Sequence, residues 1–375
     1  MRIALLSYST RPRGGVVHTL ALAEALAEAG QDVTVWTLGR GGDSGFFRAV
    51  DPRVRQRIVR FPDVDGEGVG PRILRSIETL RAAFDPAGFD VVHAQDCISA
   101  NAVSRCVRTV HHIDHFTTPE LVACHERAIT RPFAHVCVSA AVAGELAEGW
   151  GITATVIPNG VDAARFAAAA GPAAAPDRRR WRDRLGRYVL AVGGIEPRKG
   201  TVDLLEAYAL MHGTSRRLVI AGGETLFDYR DYRTRFDKRA AELGVHPIVL
   251  GPVDHDELPS LVAAADVFAF PSTKEGFGLA AMEALAAGVP LVTRDLPVLR
   301  EVFDGVARFA ADPAGFAGQL RAAAEDPESL REAGQNLAAG YSWQTAAAAH
   351  LELYRSLVPG RPAVAGSAAP PPPGG

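Results

Sequence analysis

The stretch Val267-Phe-Ala-Phe-Pro-Ser272, followed by Glu275-Gly-Phe-Gly-Leu-Ala-Ala-Met-Glu283 and then Ala-Leu-Ala-Ala-Gly288-Val-Pro290-Leu-Val-Thr293, reads as strand, turn, short helix and buried strand. Such succession belongs to a parallel sheet with right-handed crossovers. Glu275 falls in the strand-to-helix turn and Glu283 about two turns into the helix. Both then face the crevice beyond the carboxyl ends of the strands, where open α/β sheets bind ligands. Two carboxylates so placed suit a polyhydroxylated ligand, such as a sugar ring or a ribose.

Working outward, the same alternation fills the chain. Arg2–Tyr8 reads as a strand, Val16–Ala29 as a helix stopped by Gly30, and Asp32–Leu38 as a β-branched and aromatic strand. Phe89–Ala94, Cys106–Val110 and His135–Ser139 are further strands, and Ala140–Glu148 a helix. Ala163–Arg187 is rich in Ala, Pro and Arg without apolar period, as a linker should be. The alternation restarts with strand Tyr188–Gly193, helix Val202–Met211, strand Leu218–Ala221, helix Tyr229–Leu243, strand Ile248–Leu250 and helix Glu257–Ala265. The expected organisation is a first domain over 1–165, a linker over 166–187 and a second domain over 188–341. An amphipathic helix over 342–358 is free to pack back on the first domain, and the Pro/Ala/Gly tail over 360–375 is expected to be disordered.

Bulk properties narrow the function. A length of 375 residues favours two cores over one. No apolar run is long enough to span a bilayer, and Arg11 and Arg13 follow the first apolar block where a signal peptide needs small residues. A formal net charge of -3 argues against a nucleic-acid binder that works by neutralising phosphates. Cys97, Cys106, Cys124 and Cys137 lack zinc-site spacing and read as reduced cytosolic thiols, so the expected location is cytoplasmic. The only lysines are Lys199, Lys238 and Lys274 in a chain biased to Arg and Ala, as from a G+C-rich bacterial genome, so a lysine inside a motif stands out.

Several motifs carry chemistry. Gly14-Gly15 lies between the first strand and first helix, where glycines admit an anion to backbone amides. It is not G-x-G-x-x-G, and no acidic residue ends the second strand, so a nicotinamide dinucleotide is poorly supported. Gly193-Gly194-Ile-Glu196-Pro-Arg198-Lys199-Gly200 repeats the arrangement with two adjacent cations suited to a diphosphate. Val110-His111-His112-Ile-Asp114-His115 concentrates imidazoles after a strand; substrate contact by His111 is favoured over a metal, with structural roles for His112 and His115. Asp63-Val-Asp65 and Asp254-His-Asp256 are discounted as metal motifs, and Val156-Ile-Pro-Asn159-Gly160-Val-Asp162 is read as turn chemistry alone. The basic run Arg53–Arg60 is better taken as a solvated edge strand than as a membrane contact.

Taken in order, these motifs, with Asp90-Val-Val-His93, Thr109-Val-His111, Val138-Ser139, Gly251-Pro-Val253 and Pro271-Ser272, resemble retaining GT-B glycosyltransferases of family 4 (glycosyl transferases group 1). The Glu275/Glu283 pair is that family's E-x7-E signature, and the resemblance covers nearly everything before the tail. It implies an α/β GT-B architecture, two Rossmann-like doubly wound domains facing a central cleft. It places the acceptor mainly on the first domain and a nucleotide-sugar donor, UDP- or GDP-linked, on the second. By position, Arg198 and Lys199 would hold the donor diphosphate, Glu275 the hydroxyls of the transferred sugar, and Glu283 the ribose. Amides near Gly194, Phe277, Gly278 and Leu279 would add phosphate contacts, Gly15 would approach the diphosphate, and His111 matches the active-site histidine. His112 stands where other members often have Asp, Gln95 where many have a second His, and Ala221–Arg230 is bulkier than the usual turn.

The resemblance implies same-face attack, with the leaving phosphate taking the acceptor's proton, and neither cofactor nor divalent metal. Base selection would rest on Gly251–Val253 and acceptor choice on variable loops over Arg40–Val69 and Ile113–Arg131. The rival readings are a sugar-nucleotide epimerase or phosphorylase on a related fold, and a non-catalytic sugar-nucleotide binder.

Overall fold

Buried parallel strands need apolar residues on both faces, and the short β-branched runs of this chain supply them. A computed structural model describes residues 1–113, 119–222 and 230–358. The first sheet contains β1 (Arg2–Leu6), β2 (Asp32–Arg40), β3 (Arg55–Phe61), β4 (Val91–Ala94), β5 (Val107–Val110), β6 (Ala134–Cys137) and β7 (Thr155–Val156). Its strands are parallel, in the order β3-β2-β1-β4-β5-β6-β7. The second contains β8 (Tyr188–Val192), β9 (Arg217–Ala221), β10 (Ile248–Gly251), β11 (Val267–Phe270), β12 (Leu291–Arg294) and β13 (Arg308–Ala310), in the order β10-β9-β8-β11-β12-β13.

Both sheets therefore reverse direction of growth at one place, between β1 and β4 and between β8 and β11. Each reversal splays the flanking loops and opens a crevice at the carboxyl ends of those strands. Gly14-Gly15 follows β1 and Gln95 follows β4; Gly193-Gly194 follows β8 and Glu275 follows β11. The sheet topology alone thus gathers most of the sequence-selected residues at two crevices.

Strand alternation distributes the core. Ile3 and Leu5 pack with Val16, Leu20 and the last helix, whereas Ala4 and Leu6 pack with Phe61 and Leu80 on the opposite face. Likewise Leu190 and Phe268 join one layer, and Val189, Val267 and Ala269 the other. The helix Trp343–Leu357 lies on the first domain against helix Gly14–Glu28, its Tyr354 fully buried beside His93. The chain crosses between the domains where Val161 N–H donates to the Tyr341 carbonyl at 3.0 Å. A Cβ on Gly160 would lie 2.3 Å from the Trp343 nitrogen, so only glycine fits at that crossing.

Two expectations fail. Ala163–Arg187 is not an aperiodic connector: helices Ala163–Ala170 and Ala175–Leu185 occupy it. Its large apolar residues are too widely spaced to show a period, yet Phe166, Trp181 and Leu185 all enter the second domain's core. The Asp162 side chain caps the first of these helices, and the Trp181 indole N–H donates to the Ser260 hydroxyl at 3.0 Å. The segments taken as variable loops are also partly regular, since β3 and helix Pro119–Thr130 lie within them. The basic run does form an edge strand, β3, paired among the described residues with β2 alone. His115, most of the Ala221–Arg230 stretch and the 360–375 tail lie outside the described residues. Trp181→Ala should lower unfolding stability by about 3–5 kcal/mol in a denaturant titration; a change within about 0.5 kcal/mol, as for a surface linker, would contradict this packing.

Candidate active site

Where β8 ends, Gly193 has φ 147°, and a Cβ there would lie 3.2 Å from Cε of Lys199. The lysine stem runs along the bare glycine, which is why a side chain is not tolerated at that point. After one turn over Pro197–Lys199, the Lys199 ammonium donates to Glu275 Oε1 at 2.5 Å. Arg198 Nη1 donates to the same oxygen at 3.2 Å, and Nη2 to Glu196 Oε1 at 3.3 Å. Burial pushes the Glu275 carboxyl up, but Lys199 and then Arg198 outweigh it, and His112 adds to their pull; the net result is about 2. Glu275 is therefore a carboxylate at any physiological pH. It is an acceptor, not a proton donor.

The turn after Glu275 passes close to the first domain. A Cβ on Gly276 would lie 1.5 Å from the His111 carbonyl oxygen, so the loops after β11 and β5 meet with no room for a side chain. Gly278, at φ 97°, then opens helix Leu279–Ala286 in a left-handed conformation, and Phe303 fills the space a Cβ would need. The first amides of this helix have no intrahelical acceptor. Phe277 is buried edge-on to Tyr341, so its side chain belongs to the core and only its backbone is offered to a ligand. Gly194 is likewise buried, at the end of β8 and beside Gly222.

Glu283, half-buried in the body of the helix, has different charged neighbours. Burial raises its carboxyl to about 7, Arg165 opposing the rise and Asp162 adding to it. Across the cleft, Gly15 sits in the first turn of helix Gly14–Glu28, and a Cβ there would lie 3.8 Å from the His111 ring. His111 Nε2 is buried and has no hydrogen-bond partner among the described residues. Burial holds that imidazole well below its ordinary value, with His18 and Arg108 contributing, so it is neutral.

The His111 ring is positioned by a row of buried imidazoles. His18 meets it edge-on at 4.7 Å, and His18 Nδ1 is bonded to Asn159 Oδ1 at 2.8 Å. Asn159 thus does more than make a turn: it orients the ring that packs on His111. Behind them, His350 and His93 continue the row, and His93 bonds Tyr354 and Thr109 at 2.6 and 2.7 Å. Sequence reading missed this support, and also Arg165, because each acts through contacts distant along the chain; it missed Glu196 although that residue lies only two positions from Arg198. Among the described residues no group of three His, Cys, Asp or Glu is arranged to hold a metal ion.

This geometry agrees with comparisons to known proteins. The family described as Glycosyltransferase Family 4 matches residues 12–165, and the family described as Glycosyl transferases group 1 matches residues 177–339. A D-inositol 3-phosphate glycosyltransferase of Xylanimonas cellulosilytica is 31% identical, the alignment covering 96% of this chain and 98% of that protein. The chain belongs to the group 1 glycosyltransferases. A glycogen synthase of Mycobacterium tuberculosis is 29% identical over 94% of both proteins. Among solved structures, a sucrose-phosphate synthase from Thermosynechococcus elongatus superposes with a TM-score of 0.76 at 19% identity, covering 95% of this chain and 98% of that one. Anabaena HepE, in complex with UDP-glucose, gives 0.73 at 19% identity, covering 95% and 100%. The fold of this glycosyltransferase is accordingly GT-B, with two Rossmann-like domains.

The Glu283 carboxyl makes the site's electrostatics testable. Its folded value of about 7 exceeds the ordinary 4.5, so the folded protein keeps a proton that the unfolded chain releases as pH rises between those values. Stability is unaffected below that window, falls across it, and stays reduced above it, by about 3 kcal/mol at most. Glu283→Gln should therefore melt higher than the wild type at pH 8 and no higher at pH 4.5. A melting difference independent of pH would contradict the raised value.

Proposed function

We propose that this glycosyltransferase moves a hexosyl group from a UDP- or GDP-sugar to an acceptor hydroxyl, with retention of anomeric configuration and without a divalent metal, in the cytoplasm. The observation that carries the reading is the convergence of Lys199 and Arg198 on one ionised carboxylate, at the mouth of a helix and at a sheet reversal.

When the anomeric C–O bond breaks, positive charge grows on the sugar and the bonding electron pair leaves with the diphosphate. Lys199 and Arg198 are placed to stabilise that departing charge, and the free amides at the start of helix Leu279–Ala286 add to them. Fixed cations can supply the charge that a divalent ion supplies elsewhere. The acceptor oxygen forms its bond to the anomeric carbon on the same face, and its proton passes to the departing phosphate oxygen. Glu275, ionised and held by two cations, accepts hydrogen bonds from the sugar hydroxyls and fixes the pose of the ring. Neutral His111 is placed to bond a hydroxyl near the same carbon. Glu283 receives the ribose at the far end of the donor.

Three features support the remaining elements. The curated relatives are named as glycosyltransferases and synthases, among them mannosyltransferases, and HepE was solved with UDP-glucose. Among the described residues no disulfide joins any of the four cysteines, which suits a reducing compartment. No helix among the described residues is long and apolar enough to cross a membrane.

The test is acceptor-dependent release of nucleoside diphosphate, with the product's anomeric configuration read by NMR. Activity should persist in excess EDTA, and Glu275→Gln should lower kcat roughly a hundredfold or more while weakening nucleoside diphosphate binding less than tenfold. Inversion, loss of activity in EDTA, or equal loss of binding and turnover would each overturn a part of the proposal.

A further inference from the structure

A second basic cluster lies on the first domain, away from Lys199 and Arg198. Arg11, Arg13, Arg40 and Arg72 line a cleft of about 70 Å³ together with Tyr8 and Asp63, beyond the carboxyl ends of β1 and β2. That volume holds several water-sized groups, enough for one oxyanion. Four guanidinium groups face one lining carboxylate, so the cleft carries an excess of positive charge.

Arg40 decides what the excess is for. Its residue is 5% exposed, and among the described residues no carboxylate forms an ion pair with it. Its Nε donates to the Tyr8 carbonyl at 3.2 Å and its Nη2 to the Ser76 hydroxyl at 3.0 Å. Nη1 is buried without a hydrogen-bond partner. The plane packs against Phe61, its carbon 4.8 Å from the ring centre. A buried cation without an ion-paired carboxylate is costly, and an anion entering the cleft would offset that cost. Burial also lowers the Arg40 guanidinium to about 10, Arg72 and Arg75 adding to the fall against Tyr8 and Asp96. An anion would relieve both effects.

Position links this cleft to the reaction. Arg11 and Arg13 belong to the loop that leads into helix Gly14–Glu28, whose first turn holds Gly15, so one short segment borders both the cleft and the His111 ring. Tyr8 feels the charge of Glu196, the second-domain residue bonded to Arg198. Arg11 is held near Asp43 at 3.7 Å, and Asp43 in turn accepts from Thr10, which keeps the loop folded over the cleft. Arg13 makes no ion pair among the described residues.

Building on the transferase reading above, we propose that this cleft binds a phosphate group of the acceptor, so that the enzyme glycosylates a phosphorylated polyol or sugar. The phosphate is held by Arg40 and Arg13 with Arg11 and Arg72 around it, and the rest of the acceptor extends toward His111 and Glu275. The phosphate belongs either to a soluble monoester or to a lipid headgroup, and the chemistry of recognition is the same for both.

The test needs no sugar nucleotide, so its outcome is independent of whether transfer occurs. Inorganic phosphate and glycerol 3-phosphate are titrated calorimetrically at low salt into the wild type, Arg11→Ser/Arg13→Ser, Arg40→Gln and Lys199→Ala. The double variant changes only the loop and should melt as the wild type does. Both ligands should bind the wild type and the Lys199→Ala protein, and bind the double variant at least roughly tenfold more weakly. Co-sedimentation with phosphatidylinositol vesicles that is lost in the double variant assigns the phosphate to a lipid headgroup; glycerol 3-phosphate binding without co-sedimentation assigns it to a soluble ester. Absence of binding to the wild type by phosphate, ester and vesicles alike overturns the proposal. So does binding that survives in the double variant, or binding that is lost on Lys199→Ala alone.

Discussion

The ion pair between Lys199 and Glu275 organises the site, because neither partner can be in place unless the second sheet reverses correctly between β8 and β11. Lys199 is delivered by the loop after β8 and Glu275 by the loop after β11, and these strands are neighbours only at the point where strand order turns back. A 2.5 Å contact at that point, with Arg198 on the same oxygen, fixes both loops relative to the sheet. It also fixes protonation. A buried carboxylate beside two cations stays charged, and the cations stay where a diphosphate meets them.

Close approaches by glycine set the second constraint. Gly193 clears a track for the lysine stem, and Gly276 lets the Glu275 loop touch the His111 carbonyl of the other domain. A second inter-domain contact reinforces this one: both carboxylate oxygens of Glu301 accept from the free amides of Ala140 and Ala141, at 2.7 and 2.8 Å. The donor pole on one domain and the imidazole on the other are thereby held at a fixed spacing. Chemistry between them depends on backbone clearance as much as on the reacting side chains.

Much of this was legible in the sequence, and the reason is locality. Glu275 and Glu283 are set by helix spacing, Arg198 and Lys199 by adjacency, and the alternation of short strands and helices by periodicity within each window. What escaped depends on distance along the chain. Asn159 holds His18 across 141 positions, Arg165 tempers Glu283 across more than a hundred, and Arg40 reaches Ser76 from another element. The helices at 163–185 escaped for another reason: three large side chains suffice to dock them, and three points show no period. The helix Val69–Ala83 was readable, since Ile73, Ile77 and Leu80 recur on one face, but its charged remainder masked the stripe.

The account's central claim is that Lys199, poised on Glu275, serves the donor's diphosphate. The most direct measurement compares the affinities of UDP and GDP with those of uridine and guanosine, in the wild type and in Lys199→Ala. The account predicts that the diphosphate binds more tightly than its nucleoside in the wild type, and that Lys199→Ala removes roughly tenfold or more of that advantage while leaving the nucleoside's affinity unchanged. An advantage equally large in the variant would contradict it.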